Sequence, residues 1–411
     1  MSDGEVTVHI ERLGHQGDGI ASGPVYVARA LPGEVVSGVV ENGRMFSPKI
    51  VTPVKDRVRP PCRHYKSCGG CSLQHASDSF VEAWKIGVVE HALAAQGLDA
   101  PIRGIQTSPK RSRRRATLGA RRLKKGAQVG FHGFRSDTIC EILDCHLLDP
   151  ALLAVLPIIQ AITTLGASRK ARLAITLNKL DDGIDLAVKG GKPFDRDLSG
   201  NLAQLVGKHP EIVRLTWDGE VVGEFSPATV TFGRAKVTPP PGAFLQATKA
   251  GETALVGLVQ QAVGDARRIV DLFAGCGTFS LPLAENAIVH AVEGEKDMVA
   301  SLENGWRKAQ GLKAVTVEAR DLFQRPLLHD ELDHFDAVVL DPPRAGAEAQ
   351  VAEIGKSGVK SVAMVSCNPV TFARDARVLT ENGYLMEWIN VVDQFRWSPH
   401  IEVVALLTKE G

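Results

Sequence analysis

The sequence predicts a multidomain chain. Its parts are a small OB-like β-barrel, a central β-rich region around a cysteine knot, and a C-terminal doubly wound (Rossmann-like) α/β domain. Three observations predict it. The first 50 or so residues alternate apolar and polar positions between Gly, Asp and Asn turns. Three cysteines then fall between positions 62 and 71, and after a proline-rich linker helical and strand patterns alternate to the end. A chain of 411 residues exceeds one ordinary domain, and 44% hydrophobic content is ample for real cores. The net charge of +1 rules out a polycation, so affinity for nucleic acid has to come from local clustering. No charged, then apolar, leader opens the chain, and no apolar run reaches the roughly 20 residues of a membrane span. A cytoplasmic protein is expected. Its seven cysteines then point to metal binding or catalysis rather than disulfides.

The barrel is expected over residues 1–57. "EVTVHIERLGHQGDGIASGPVYVARALPGEVVSGVVENGRMFSPKIVTPV" has the short strands and turns of a small antiparallel barrel. "VRPPC" closes it. The central region, 58–240, holds the cysteine knot, the helical "SDSFVEAWKIGVVEHALAAQG", several strands, and one helix around "DPALLAVLPIIQAITTLG". "VTPPPG" marks a second linker. Residues 241–411 then alternate helix and strand, the pattern of a doubly wound sheet.

Within the knot, Cys62, Cys68 and Cys71 have the spacing C-x5-C-x2-C, with Cys145 far downstream. Three thiols this close, with glycines between the last two, are poorly explained as core. Zinc and a [4Fe–4S] cluster both accept four thiolates, and spacing does not separate them. His64 and His75 are alternative ligands. Cys140 and Cys276 read as structural. Downstream, "SPKRSRRRATLGARRLKKGA" carries nine Lys or Arg and no acid. A charge run is commonly just a solvated face. Here the rest of the chain must be net acidic, so this is also the footprint of phosphate-backbone contact, with Arg113, Arg114 and Arg115 as expected contacts.

In the C-terminal part, "RIVDLFAGCGTFSLPLA" is a strand, a glycine turn and a helix. Gly275 and Gly277 allow close backbone approach to a ligand. Glu293 ends the next strand, where a ribose hydroxyl is usually gripped. The dinucleotide fingerprint is incomplete and no phosphate loop is present. A nucleoside without a pyrophosphate fits better than NAD or ATP, and S-adenosylmethionine is the obvious candidate. "FDAVVLDPPRAG" places Asp341 at a strand end beside two stiffening prolines. "SVAMVSCNPVTFARDARVLTENG" places Cys367 between a buried strand and a helix that Asn368 caps and Pro369 starts. Cys367 is either a small buried hydrophobe or a nucleophile whose thiolate the helix N-terminus favours.

Taken in order, "FLQAT", "DLFAGCGTF", "LDPPRAGA" and "SCNPVTFARD", with a looser "VDQFRWSPHIE", resemble the RNA uracil-5-methyltransferase family, especially its bacterial 23S ribosomal RNA branch. The barrel resembles that family's TRAM domain, and "CRHYKSCGGCSLQH" its cluster motif. The resemblance spans nearly the whole chain. It implies an RNA methyltransferase forming 5-methyluridine with S-adenosylmethionine, RNA as partner, and a [4Fe–4S] cluster on Cys62, Cys68, Cys71 and Cys145. It implies Cys367 as the nucleophile that adds to uracil C6 and Glu402 as the base that removes the C5 proton. It implies Gln246, Phe273, Thr278, Glu293, Asp321 and Asp341 as cofactor contacts. His400 either orients Glu402 or is structural. The chain departs from the family pattern at Thr248 and Thr278, where asparagine is usual, and at Arg396-Trp397. The other readings are transfer-RNA uracil-5 methylation, cytosine-5 methylation by the same thiol addition, amino-group methylation, and a non-catalytic iron–sulfur RNA-binding protein.

Overall fold

The computed structural model describes residues 4–409. Its N-terminal part is a six-stranded sheet in the order Arg44–Met45, Val25–Val27, Gly19–Ala21, Glu5–Leu13, Val35–Val39, Lys49–Thr52. All pairs are antiparallel except the short one between Val25–Val27 and Arg44–Met45. The expected barrel therefore has an open ladder. Its central strand is interrupted by a bulge between Ile10 and Arg12, which sharpens the bend there. Ile10, Ala21, Val27, Val36 and Met45 fill its own small core.

The second sheet has seven strands, in the order Ile139–Glu141, Ala127–His132, Arg115–Arg122, Leu173–Lys179, Ile184–Lys189, Ile212–Trp217, Glu220–Glu224. Helices Leu156–Gly166 and Arg196–Val206 pack against each other beside it, and Ile159, Ile162, Leu202 and Val206 are buried in the shared core. A separate hairpin, Val230–Phe232 with Ala235–Val237, precedes the proline linker.

The third sheet is the α/β unit. Its eight strands run Val315–Ala319, Ile288–Glu293, Arg268–Leu272, Ala337–Leu340, Ser361–Ser366, Glu402–Lys409, Tyr384–Asp393, Ile102–Thr107. The first five are mutually parallel, and Glu402–Lys409 is antiparallel to both of its neighbours. Strand Ala337–Leu340 and residues 362–365 of the next strand are wholly apolar, as burial on both faces requires. The sheet is not continuous in sequence. Its outer strand comes from residues 102–107 and pairs parallel with Tyr384–Asp393. Helix Asp78–Ala94 packs beside helix Pro369–Glu381. A division at residue 241 leaves both of these pieces out.

Candidate active site

One cavity of about 500 Å³ opens at the C-terminal ends of the parallel strands. Open α/β sheets bind ligands there. Gln246, Phe273, Thr278, Glu293, Asp321, Asp341, Cys367 and Glu402 all line it. Residues spread over more than 150 positions of sequence thus share one wall, and the volume suits a small ligand together with a base.

The glycine turn follows strand Arg268–Leu272. Phe273, Gly275 and Gly277 all have left-handed φ, +64°, +56° and +99°. Glycine adopts this freely, but Phe273 is held there at a cost. A Cβ on Gly277 would meet Leu281 at 2.8 Å, whereas one on Gly275 would meet nothing within 4 Å, because Gly275 faces open space. Glu293 staples the turn. Its carboxylate accepts from the N–H groups of Gly275 and Glu295, each at 2.9 Å. Spare lone pairs remain for a hydroxyl. Asp321 is exposed on the opposite rim and accepts from Phe323 N–H at 2.9 Å.

Cys367 stands where the local sequence places it. It follows strand Ser361–Ser366 and precedes helix Pro369–Glu381, whose N-cap Asn368 accepts from Val370 N–H at 3.2 Å. The expected thiolate is not what this setting favours. Burial, then the Glu402 and Asp341 carboxyls, push the Cys367 thiol up to about 11, against the opposing charge of Arg344. Glu402 is buried, and desolvation with the Asp341 charge raises it to about 8, while Arg344 and Lys85 pull the other way. Asp341 faces the cavity on one side and protein on the others, and burial raises it to about 7. Three groups that resist ionisation therefore share one wall, with the Arg344 charge opposing the rise of Cys367 and Glu402.

Other elements hold this wall in place. Lys85, fully buried, bonds Asp393 at 2.6 Å and the carbonyls of His400 at 3.0 Å and Phe395 at 3.3 Å. It clamps the loop that leads into Glu402. His400 does not hydrogen-bond Glu402. Its Nδ1 lies 3.4 Å from Arg344, and its ring meets Phe395 edge-on. Trp397, with φ +59°, turns into the central core, and its carbonyl accepts from Ser72 and Leu73 N–H at 2.8 and 3.0 Å. Thr248 caps helix Lys249–Val263 by accepting from Gly251 N–H at 2.9 Å, a task threonine and asparagine both perform.

The basic run divides. Arg114 is buried, with little of it left to solvent. Its N–H groups bond the Gln246 carbonyl, at 3.0 Å, and Glu252. Arg113 is packed against Phe395 beside the cysteines. Arg115 stacks on Phe244, which lines the cavity and is largely exposed. The expected phosphate role therefore fails for Arg114, which is a buried tie to the 246 loop and helix Lys249–Val263. Lys110, Arg111, Lys124 and Lys125 are the exposed members.

Cys62, Cys68, Cys71 and Cys145 line a second, small cavity of about 20 Å³ with His64, His146 and Arg113. Burial and mutual repulsion raise the first three thiols. Gly70 N–H points at Cys68 Sγ, and Leu147 and Leu148 N–H point at Cys145 Sγ, at 3.4–3.5 Å. Among the described residues no three His, Cys, Asp or Glu side chains gather closely enough to clasp a single ion. His75 lies away from this cavity. It is buried, its Nδ1 is 2.6 Å from Tyr65 Oη, and burial lowers it to about 3. Cys276 is buried in the glycine turn, and Cys140 sits half-buried beside Ser67.

Sequence reasoning missed Arg344, Phe244, Phe323 and Met298 of the main cavity. Arg344 lies in "LDPPRAGA" and Phe244 in "FLQAT", so both lay within motifs already noted, and Phe323 follows the noted Asp321 by two. Met298, on a helix, gave no signal.

The sequence profile of the tRNA (Uracil-5-)-methyltransferase family matches residues 240–410. An uncharacterized RNA methyltransferase of Rhizobium meliloti is 45% identical over 420 aligned residues, covering 100% of both chains. The 23S rRNA (uracil(1939)-C(5))-methyltransferase RlmD of Halomonas elongata is 34% identical, over 99% of this chain and 90% of its own. The crystal structure of Pyrococcus abyssi tRNA (uracil-54, C5)-methyltransferase, in complex with S-adenosyl-L-homocysteine, superposes with a TM-score of 0.76. It covers 98% of this chain and 99% of that one at 21% identity, which speaks for a shared fold. The chain is an RNA methyltransferase. Within that class, it belongs to the RNA uracil-5-methyltransferase family.

Proposed function

We propose that this enzyme forms 5-methyluridine in RNA, with 23S ribosomal RNA the favoured substrate, in the cytoplasm. The observation that carries the reading is the meeting of Cys367 and Glu402 in one cavity with Asp341, Gln246 and the glycine turn. S-adenosylmethionine supplies an electrophilic methyl group when bound. Phe273, Thr278, Glu293, Asp321, Asp341 and Gln246 would hold it.

Uracil C5 is a poor nucleophile on its own. The Cys367 thiol loses its proton to solvent and adds as thiolate to C6, the ring electrons move to C5 and O4, and C5 takes the methyl group with S-adenosylhomocysteine as the leaving group. Glu402 then accepts the C5 proton, the ring double bond returns, and the Cys367 thiolate leaves. A carboxyl raised to about 8 is mostly protonated at neutral pH, so only its ionised minority can take the C5 proton; that minority is a stronger base than an ordinary glutamate, and the step should quicken as pH rises toward 8. Arg344 supports the thiolate. A base within a duplex cannot offer C6 to a thiol, so the target is unpaired or flipped out. Lys110, Arg111, Lys124 and Lys125 offer exposed charge for the phosphates, and Phe244 and Phe323 offer exposed rings for stacking.

The four cysteines are assigned to a [4Fe–4S] cluster. Four thiols line one small space with N–H groups aimed at sulfur, which supports a thiolate-bound centre, and the resemblance of the cysteine motif to the family's cluster motif favours iron–sulfur over zinc. Its role is structural, because Ser72 and Leu73, next to Cys71, hold the Trp397 carbonyl of the loop leading to Glu402. Anaerobically purified protein should be brown and contain iron and sulfide in equal amounts. Colourless protein with zinc alone refutes the cluster.

The reaction is tested with short RNAs containing 5-fluorouridine. Fluorine cannot leave as a proton does, so the methylated adduct stays on the enzyme. The expected result is a denaturation-resistant complex that requires S-adenosylmethionine and disappears in Cys367→Ala. No adduct with any of several structured RNAs refutes the mechanism.

A further inference from the structure

Two glutamines at the cavity wall carry an inference that rests on the proposed function and goes beyond it. Gln246 lines the cavity, and Gln394 lies buried behind it. Gln394 Nε2 donates to Gln246 Oε1 at 2.7 Å, and the Thr248 backbone N–H donates to Gln394 Oε1 at 3.4 Å.

A side-chain amide can be turned end for end with almost no change of shape, so its direction must be set by a group that cannot turn. The Thr248 N–H is such a group. It belongs to the N-cap of helix Lys249–Val263, where free N–H groups and the helix dipole favour an oxygen over an NH2. Gln394 lies flush on that first turn. A Cβ on Gly251 would come within 2.3 Å of its Cγ. The backbone of Gln246 is pinned as well, since its carbonyl accepts from Arg114 Nε at 3.0 Å. With the Gln394 oxygen turned to the helix, its NH2 turns to Gln246. The Gln246 oxygen is then engaged from behind, and its own NH2 is left for the cavity.

We propose that Gln394 is a positioning residue that fixes the Gln246 amide with its NH2 toward the cavity, so that the ligand atom met there is a carbonyl or carboxylate oxygen. Two bound groups offer such an oxygen. One is the 4-carbonyl of uracil, where cytosine carries an amine. The other is the amino-acid carboxylate of the methyl donor.

The test uses the full chain with Gln394→Glu, Gln394→Met, Gln246→Met and the double variant Gln246→Met/Gln394→Glu. A carboxylate at 394 still accepts from Thr248 but cannot donate, so Gln246 must turn its NH2 inward and its oxygen to the cavity. S-adenosylhomocysteine binding is measured by calorimetry, and adduct formation with 5-fluorouridine and 5-fluorocytidine RNAs is timed. Gln394→Glu should weaken one of these about 10- to 100-fold. If S-adenosylhomocysteine binding falls, the oxygen is the carboxylate. If the 5-fluorouridine adduct slows and the 5-fluorocytidine adduct gains, the oxygen is the uracil carbonyl. Gln394→Met, which merely frees the amide, should show a smaller loss on the same ligand and keeps the test open if the glutamate variant misfolds. On the Gln246→Met background, Gln394→Glu should add almost nothing. A purely structural role would add its full effect there. That additivity, or Gln394 variants that match wild type on both ligands, would overturn the proposal. A wild-type protein that neither binds S-adenosylhomocysteine nor forms an adduct instead overturns the reaction itself.

Discussion

Glu402→Gln should make the protein less active and, at alkaline pH, more stable. Glu402 is raised from 4.5 to about 8 in the folded chain, by burial first and the Asp341 charge second. Between those two values the unfolded carboxyl has lost its proton while the folded one keeps it. Ionisation therefore favours the unfolded state, and stability falls as pH rises through this window. At about 1.4 kcal/mol for each pH unit, the loss approaches about 5 kcal/mol above pH 8. Glutamine keeps the shape and removes the titration. It leaves an amide with no set partner, which costs about 1–3 kcal/mol at every pH. The stability curves of the two proteins should thus cross, with wild type ahead in acid and Glu402→Gln ahead in mild alkali. Asp341 titrates in both proteins, so most of its contribution cancels in the difference. Urea unfolding followed by tryptophan fluorescence, between about pH 5 and pH 9, measures that difference. A difference that stays constant across the range would show that Glu402 ionises freely in the folded protein and would refute the buried-base reasoning. With ordinary uridine RNA the same variant should accumulate the methylated Cys367 adduct, because no base remains to release it.

Two further predictions separate the buried and exposed members of the basic run. Arg114→Ala should lower stability by about 3 kcal/mol, the low end for breaking a buried pair, because Glu252 keeps Lys249 at 2.6 Å; unchanged unfolding would refute the tie. Reversing Arg111, Lys124 and Lys125 to Glu should leave melting unchanged and weaken RNA binding, with the salt dependence shallower by nearly one unit of slope for each lost phosphate contact, and an unaltered slope would place the RNA elsewhere.

What was legible in the sequence was set within a dozen residues. The strand, the Asn368 cap and the first-turn proline fix Cys367 locally, and the glycines fix the turn at 273–277. Two site properties depend on distant groups and were misjudged. A helix start beside Cys367 argued for thiolate, but burial first, and then the Glu402 and Asp341 carboxyls arriving from other strands, reverse the balance. Arg114 looked like its exposed neighbours in a charge run. A period-2 count could have found it, since Ala116, Leu118 and Ala120 all point inward and Arg114 is in phase with them. The edge strand Ile102–Thr107 gave no such signal. Its partner lies some 280 residues away, and parallel pairing at that distance leaves no local trace.

The position of Glu402 follows from the same long-range construction. Its strand is the last among the described residues, yet much of the loop before it is fixed by residues from the central region. Lys85 supplies the charge that neutralises Asp393 and binds two loop carbonyls, and Ser72 and Leu73 bind a third. Arg396 of the loop reaches back to the Ser108 carbonyl and Asp78. Removing these partners would leave Asp393 buried without a counter-charge, which an interior tolerates poorly. Residues 240–410 therefore hold Cys367 and Glu402 but only part of the scaffold that places Glu402. The cysteine loop and helix Asp78–Ala94 do not line the cavity, yet they brace from behind the loop that carries Glu402 into it.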